Sequence, residues 1–318
     1  MSTPRPFRFG VQVNGAPSSA AWRDLVRRIE DHGYSTMFVS DHYLDRNLPA
    51  AAVMSVAPIS AMAAAAMVTS TVRIGCRVFC IDYHVPAALA KEAATIDLLS
   101  DGRLELGIGA GWSAGEYDAM GLEFDPPGRR VSRLEEVVAM FKAHFSGEVM
   151  QSPGPQVTVH GYAGLPLSVQ RPHPPLMIGG SKQRVLSLAA READIVSLAN
   201  VAFVAHNEAG LTPMGEAARR VGYVREAAGD RFGQLDIENS PYFAAITSDR
   251  AGALERIAKM MKCEVSVIDD HPNVLVGDAQ QVEDTLVRRR EELGINYVTV
   301  QESLLDAFAP IAARLAGS

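Results

Sequence analysis

A chain of 318 residues with 47 % hydrophobic residues can bury a large core and is too apolar to be disordered. Its formal net charge of −7 argues against a nucleic-acid partner. The densest basic run, Arg288-Arg289-Arg290, is followed at once by Glu291-Glu292, which reads as a solvated helix face. The three cysteines, Cys76, Cys80 and Cys263, form no Cys-x-x-Cys pair and have no nearby histidine cluster, so neither a disulfide framework nor a structural zinc site is expected. The N-terminal MSTPRPFRFG has no apolar signal core. Leu48 to Thr71 carries no charge, but Pro58 and the run of alanines point to a buried helix rather than a membrane span. A cytoplasmic protein without a membrane partner is expected.

Phe7 to Asn14 alternates as a strand, with Phe9, Val11 and Val13 on one face and Gln12 and Asn14 on the other. Ser18 caps a helix running to about His32, with Trp22, Leu25, Val26 and Ile29 as its apolar stripe. Gly33 ends it, and Tyr34 to Ser40 is a second strand closing on Ser40-Asp41-His42. An alanine-rich helix, Pro58 to Val68, leads to a third strand, Val72 to Phe79. Pro86 then opens a helix with Leu89, Ala93, Ile96 and Leu99 inward, stopped by Asp101-Gly102. From Arg103 the period drops to two. Leu104, Leu106 and Ile108 share one face, and Glu105, Gly107 and Gly109 the other. A strand face made of glycine lets another backbone or a flat ligand approach closely. This strand opens into Gly109-Ala110-Gly111-Trp112.

Arg130 to Phe145 is the next helix, with Leu134, Val137, Val138 and Phe141 inward. Gly147 to Pro175 is rich in glycine and proline and contains at most a short strand, Val157-Thr158-Val159; it reads as an excursion. Regularity resumes with a strand at Pro175–Gly179, a helix at Lys182–Glu192 and a strand at Asp194–Leu198. Met214–Ala228 is helical, Ile237–Ala245 a strand, and Arg250–Lys262 an extra helix. Ala279–Leu293, Tyr297–Val300 and Leu304–Ala316 complete the series. Eight strands alternating with helices at roughly thirty-residue spacing give an α/β chain, a (β/α)₈ TIM barrel. One domain over 1–318 is expected, with insertions at 147–175 and around 200–213 and the extra helix around 250–262.

At the C-terminal ends of such strands, three groups of residues carry chemistry. Ser40-Asp41-His42 ends the second strand; His42 is suited to exchange a proton near neutrality. Adjacent strand residues face opposite sides, so Asp41 and His42 serve different partners. Ile178-Gly179-Gly180-Ser181 before a helix suits a phosphate, or is a plain turn with Ser181 as N-cap. Gly107-x-Gly109-x-Gly111 ends in Trp112 where a dinucleotide fingerprint needs Gly or Ala, which weakens a Rossmann reading. Glu116 lies a turn further on as a polar wall of the same pocket. Glu105 and Arg77 point inward and could pair structurally. His84, His160 and His173 read as surface or structural residues. An unrelated metal-dependent hydrolase is disfavoured by the lack of a strand-end His-x-His and of clustered carboxylates.

Together these stretches resemble the bacterial luciferase-like superfamily, especially its branch dependent on the deazaflavin coenzyme F420. The resemblance rests on Ser40-Asp41-His42, Val72-Arg73-Ile74-Gly75, Pro86 through Trp112, Arg129-x-x-x-Arg133-Leu134-Glu135-Glu136, Pro174-Pro175-x-x-Ile178-Gly179-Gly180-Ser181, Ala189 through Asp194 and Gly294 through Val298. It implies an F420-dependent oxidoreductase moving a hydride between the deazaflavin and a small organic substrate. His42 would be the proton donor or acceptor, and Asp41 would position the ring. Cys76, Arg77, Val78 and Phe79 would support the ring's back face, with a non-prolyl cis peptide near Arg77–Val78. Gly109, Ala110 and Gly111 would line the cofactor, and Gly179, Gly180 and Ser181 would hold its phosphate. The substrate pocket would come from the Gly147–Pro175 excursion and the Val201–Pro213 loop. A homodimer is common in this family. The alternatives are an FMN-dependent luciferase-like monooxygenase and a non-catalytic flavin- or deazaflavin-binding protein.

Overall fold

A computed structural model of the chain describes residues 5–43 and 56–318. The chain opens with β1 (Arg8–Val13) and α1 (Ser19–Asp31), whose first turn is capped by the Ser18 hydroxyl 3.1 Å from the Ala21 N–H. There follow β2 (Thr36–Val39), α2 (Pro58–Ala66), β3 (Arg73–Cys80), α3 (Pro86–Leu99) and β4 (Leu104–Gly109). The uncharged stretch from Leu48 lies partly outside the described residues; its described part is α2. A short α4 (Ala114–Met120) precedes α5 (Pro127–Ser146), so the helix expected at Arg130 begins earlier and is the fifth. In the excursion, β5 (Met150–Gln151) pairs antiparallel with β6 (His160–Tyr162), just beyond the expected Val157–Val159. Then come β7 (Leu176–Gly180), α6 (Gln183–Glu192), β8 (Ile195–Leu198), α7 (Pro213–Ala228), β9 (Asp236–Asn239), β10 (Phe243–Ile246), α8 (Arg250–Met261) and α9 (Val265–Asp269). The chain ends with β11 (Val274–Gly277), α10 (Ala279–Leu293), β12 (Ile295–Gln301) and α11 (Leu305–Leu315).

Eight strands close in the order β1-β12-β9-β8-β7-β4-β3-β2, a (β/α)₈ barrel as the spacing predicts. Their parallel register is set by pairs such as Thr36 with Arg73, Leu106 with Leu176 and Ile195 with Asp236. One strand expectation fails. Ile237–Ala245 is two strands, because Pro241 has no N–H to continue the ladder. Tyr242 and Phe243 instead donate to the Asn273 carbonyl at 2.7 and 3.1 Å, and β10 pairs in parallel with β11 outside the barrel. This small sheet has its own apolar cluster, with Leu254, Ile257, Ile268, Val274 and Val276 at its centre.

The chain divides into two compact units. One comprises Gln12–Asp31 and Ser35–Gly179. In it, two carboxylates tether the excursion: the half-buried Glu136 accepts from the Gln156 and Val157 N–H groups at 2.8 and 2.7 Å. Asp97 accepts from the Ser168 hydroxyl at 2.6 Å and from the Val169 and Gln170 N–H groups at 2.7 and 3.0 Å. The other unit comprises the chain up to Val11, His32–Tyr34 and Gly180–Ser318. There Asp236 takes Arg5 and Arg8 at 2.7 and 2.8 Å, and Phe9 packs edge-on to Phe308 with centroids 5.6 Å apart. Among the described residues no helix is long and apolar enough to cross a membrane.

Candidate active site

The C-terminal ends of β2, β3 and β4 bring the first group of expected residues together. The register between β3 and β4 shifts between Cys76 and Phe79, and the peptide bond Arg77–Val78 inside this bulge is cis. The glycine face of β4 explains how the bulge fits. A Cβ at Gly107 would run into the Cys76 carbonyl oxygen, and one at Gly109 would lie 2.9 Å from Val78 Cγ2. Of the two possibilities open from sequence, Gly107 therefore admits a backbone. Gly111 has φ +72° and faces Tyr117 Oη and Cys80 Sγ, so a side chain there is excluded twice over. Arg77 donates to Gln12 Oε1 at 3.1 Å, and Glu105 lies 3.0 Å from Arg73 Nε.

Asp41 and His42 do have separate partners. The Asp41 carboxylate is buried; its Oδ2 accepts from the Cys80 N–H at 2.9 Å and lies 2.9 Å from His84 Nε2. Its Oδ1 is buried without a hydrogen bond of good geometry. Burial first, then the Asp41 charge, lift the Tyr43 phenol to about 12. Burial likewise pushes the Cys76 thiol well up and the Cys80 thiol to about 11, so both stay protonated at neutral pH. His42 Nδ1 stands 3.0 Å from both Oε1 and Oε2 of Glu116, a carboxylate supplied by α4. Glu116 is buried and also accepts from the Tyr43 N–H at 3.1 Å and the Tyr83 hydroxyl at 3.0 Å. An ionised carboxylate only accepts, so this contact assigns the hydrogen to Nδ1 and leaves Nε2 as the nitrogen that takes up a proton. The His42 side chain is 43 % exposed, edge-on to the exposed Trp112 indole at 6.0 Å.

Aromatic and charged groups pack around Tyr83, which donates to Glu116. Tyr83 stacks edge-on to Tyr43 and Tyr117, with centroids 5.5 and 5.1 Å away. The Tyr117 hydroxyl donates to Asp82 Oδ2 at 2.8 Å, and Arg133 donates to Asp82 Oδ1 at 2.8 Å. Arg133 also pairs with Asp125, and its hydrogen bond is the main cause holding that carboxyl below its ordinary range. Arg130 donates to the Gly111 carbonyl at 3.0 Å and lies over the Phe124 ring. The His42 imidazole is thus held from behind by a carboxylate whose own position is over-determined.

Residues 5–274 match the family of luciferase-like monooxygenases. The chain belongs to the luciferase-like monooxygenase family. An uncharacterized protein of Mycobacterium tuberculosis is 32 % identical over 193 residues, 56 % of this chain and 65 % of its own length. An F420-dependent glucose-6-phosphate dehydrogenase of Nakamurella multipartita is 28 % identical over 209 residues, 60 % of this chain and 56 % of its own length. The chain thus spans less than two thirds of the length of these curated relatives. The coenzyme F420-dependent tetrahydromethanopterin reductase of Methanopyrus kandleri shares the fold with a TM-score of 0.76, covering 98 % of both chains at 18 % identity.

In this luciferase-like chain Gly179, Gly180 and Ser181 stand at the end of β7 and the approach to α6. The N-cap of α6 is Lys182 rather than Ser181, and its side chain makes no capping hydrogen bond. The Gly180 carbonyl accepts from the Ala199 N–H at 2.9 Å, and a Cβ at Gly180 would collide with Val185. Ala110 lies between Gly109 and Gly111 in the turn after β4. His84, set aside from sequence as a scattered histidine, is a partner of Asp41, and Glu116 is more than a pocket wall. The available signals were short: His84 lies four residues past Cys80, and Glu116 opens the helix after the glycine turn.

Proposed function

We propose that this protein is an oxidoreductase that moves a hydride between the deazaflavin coenzyme F420 and a small organic substrate, with His42 exchanging the accompanying proton. The observation that carries this reading is the His42–Glu116 pair: a half-exposed imidazole at a barrel-strand end, held through Nδ1 at 3.0 Å by both oxygens of a buried carboxylate. The donor set fits a flat, phosphate-bearing cofactor. His42 and the exposed Trp112 offer a polar and an aromatic edge to a flat ring. The bulge Cys76, Arg77, Val78 and Phe79 with Gly109, Ala110 and Gly111 would line the ring, and Gly179, Gly180 and Ser181 the phosphate. When bound, the deazaflavin supplies the hydride chemistry.

The chain's own residues supply the rest. His42 Nε2 gives a proton to a substrate heteroatom, or takes one in the opposite direction. Glu116 stabilises the imidazolium form and fixes the ring through Nδ1. Asp41, held by the Cys80 N–H and His84, keeps a fixed negative charge beside the bulge. The F420 dependence of the Nakamurella relative gives a precedent for the deazaflavin, and an FMNH2-dependent dimethylsulfone monooxygenase of Pseudomonas putida, 32 % identical over 109 residues, gives one for a flavin. A second reading, an FMN-dependent monooxygenase, is supported by the family's own description. Side-by-side fluorescence titrations with F420 and FMN test both. Tight binding of F420 with weak binding of FMN is expected; the reverse preference moves the protein to the monooxygenase reading, and binding of neither rejects both. Retained cofactor binding with unchanged turnover in His42→Ala would leave only the proton role refuted.

A further inference from the structure

The chain has two tryptophans, and they are placed oppositely. Trp22 is 8 % exposed on the inner stripe of α1, whereas Trp112 is 76 % exposed in the turn between β4 and α4. A single exposed apolar side chain is ordinary. Trp112 differs in how it is held and in what stands beside it. The Gly111 carbonyl just before it takes the Arg130 guanidinium at 3.0 Å. The Ser113 carbonyl just after it accepts from the Glu116 and Tyr117 N–H groups at 2.9 and 3.3 Å. The indole is thus carried on backbone that is fixed on both sides, and a surface ordered in advance binds with less loss of freedom.

Among the described residues, the one ring in contact with the indole is His42, at 6.0 Å and 78°. An edge-on contact of this kind, like an edge offered to a cofactor ring, leaves most of an indole face uncovered. Tyr43, the next residue after His42, is 46 % exposed and leans edge-on against Tyr83. Exposed rings therefore accompany the proton-exchanging imidazole both in sequence and in space. Aromatic pairs settle in offset-stacked or edge-to-face arrangements with centroids roughly 4.5–7 Å apart. A ring packed on Trp112 consequently brings an oxygen on its first side-chain carbon into the neighbourhood of the His42 imidazole.

We propose that Trp112 is a stacking platform for the substrate, and that the substrate class is aryl carbinols and the corresponding aryl carbonyls. The chemistry rests on the hydride-transfer reading above; the stacking does not. In the oxidising direction the carbinol C–H and O–H bonds break and a C=O bond forms. The hydride reduces the oxidised deazaflavin, and the proton goes to His42. The test is fluorine NMR of the full chain labelled with fluorotryptophan, with and without F420, titrated with benzyl alcohol and with its saturated counterpart cyclohexylmethanol. Trp112→Tyr assigns the two signals. Benzyl alcohol should give a saturable ring-current shift of the Trp112 signal while Trp22 stays in place. Cyclohexylmethanol should bind roughly tenfold more weakly and give no such shift. In saturation-transfer titrations Trp112→Leu should weaken benzyl alcohol roughly tenfold and Trp112→Tyr should restore it, with F420 affinity unchanged in both. A Trp112 signal that ignores benzyl alcohol, equal affinity for the two alcohols, or a loss of F420 affinity in Trp112→Leu that matches the loss of alcohol affinity would each overturn the platform. A benzyl alcohol shift in a chain that binds no F420 would keep the platform and reject the cofactor reading.

Discussion

Asp41 and His42 are neighbours in sequence and strangers in the site. One carboxylate, Asp41, faces Cys80 and His84; another, Glu116, faces His42. Glu116 is therefore the residue to change if the proton chemistry is to be tested without removing the imidazole. Glu116→Gln keeps the size and can still meet Nδ1 through its amide oxygen, but it no longer accepts as a charge. A hydrogen bond to a charged group is worth about 1.5–3 kcal/mol, so turnover should fall roughly ten- to hundredfold with cofactor affinity little changed. Nitrogen-15 spectra of His42 should show the Nδ1–H tautomer losing its dominance; an unaltered tautomer with full activity would refute the positioning role. His42→Ala should cost about 10²–10⁴-fold in turnover. The sequence shows Asp41-His42 plainly because both sit where a strand ends. It does not show that Glu116 is the imidazole's partner, since that depends on the direction in which a seven-residue helix leaves the Gly111 turn. His84 is hidden for the same reason: the single turn Ile81–Tyr83 swings it back onto Asp41.

Among elements, β4 is the one whose composition is dictated by a neighbour. Gly107→Ala would drive a methyl into the Cys76 carbonyl and to 3.0 Å from Val78 Cγ1, and the atom met first is backbone rather than the far end of a flexible side chain. Overpacking of this kind costs about 1–3 kcal/mol. Gly115→Ala is the control: nothing lies within 4 Å of its Cβ position, so the change in α4 should be neutral or stabilising by up to about 1 kcal/mol. Urea midpoints of the two variants should move in opposite directions or only the first should fall; equal losses would mean that the close approach at Gly107 is not what the glycine serves. The alternation Leu104, Leu106, Ile108 against Glu105, Gly107, Gly109 makes this strand readable in advance. The run Ile237–Ala245 is misread because apolar content continues through a proline, and only the Asn273 carbonyl, thirty-odd residues on, decides where the chain pairs next. β11 escapes notice beforehand, because Val274-Leu275-Val276 is a run of only three apolar residues before Gly277.

For the whole molecule, the closed strand order is legible because parallel βα units repeat, and repetition survives errors of a few residues at each boundary. What the repeat does not carry is the set of ionisable groups that folding buries, and these shape stability against pH. His271 is buried, stacked on Phe203 with centroids 4.0 Å apart; its Nδ1 accepts from the Asn273 N–H at 3.1 Å and its Nε2 lies 3.3 Å from the Ala202 carbonyl. A second proton would set Nδ1–H against N–H, and burial already holds the ring's pKa down to about 4 from 6.5. The unfolded chain therefore binds more protons between those values, and stability is lost as pH falls through that window. Burial acts against the Glu30 carboxylate, but hydrogen bonds from Thr71, Ser70 and Val72 outweigh it and bring its pKa below 4.5, so a further loss follows in stronger acid. On the alkaline side the sign reverses in origin though not in effect. The Cys80 thiol keeps its proton to about 11 in the folded chain against 9.0 in the unfolded one, and the fully buried Cys76 shifts the same way. The unfolded state then binds fewer protons, and stability is lost as pH rises from 9 towards 11. Urea midpoints measured across pH should form a plateau between about 6.5 and 9 with a falling limb on each side. His271→Gln should flatten the limb between pH 6.5 and 4 at a lower plateau, and Cys80→Ser should flatten part of the limb above 9. Acid limbs that fall in parallel for wild type and His271→Gln would show that the ring titrates alike folded and unfolded, and that its packing beside Phe203 leaves the protonation equilibrium untouched.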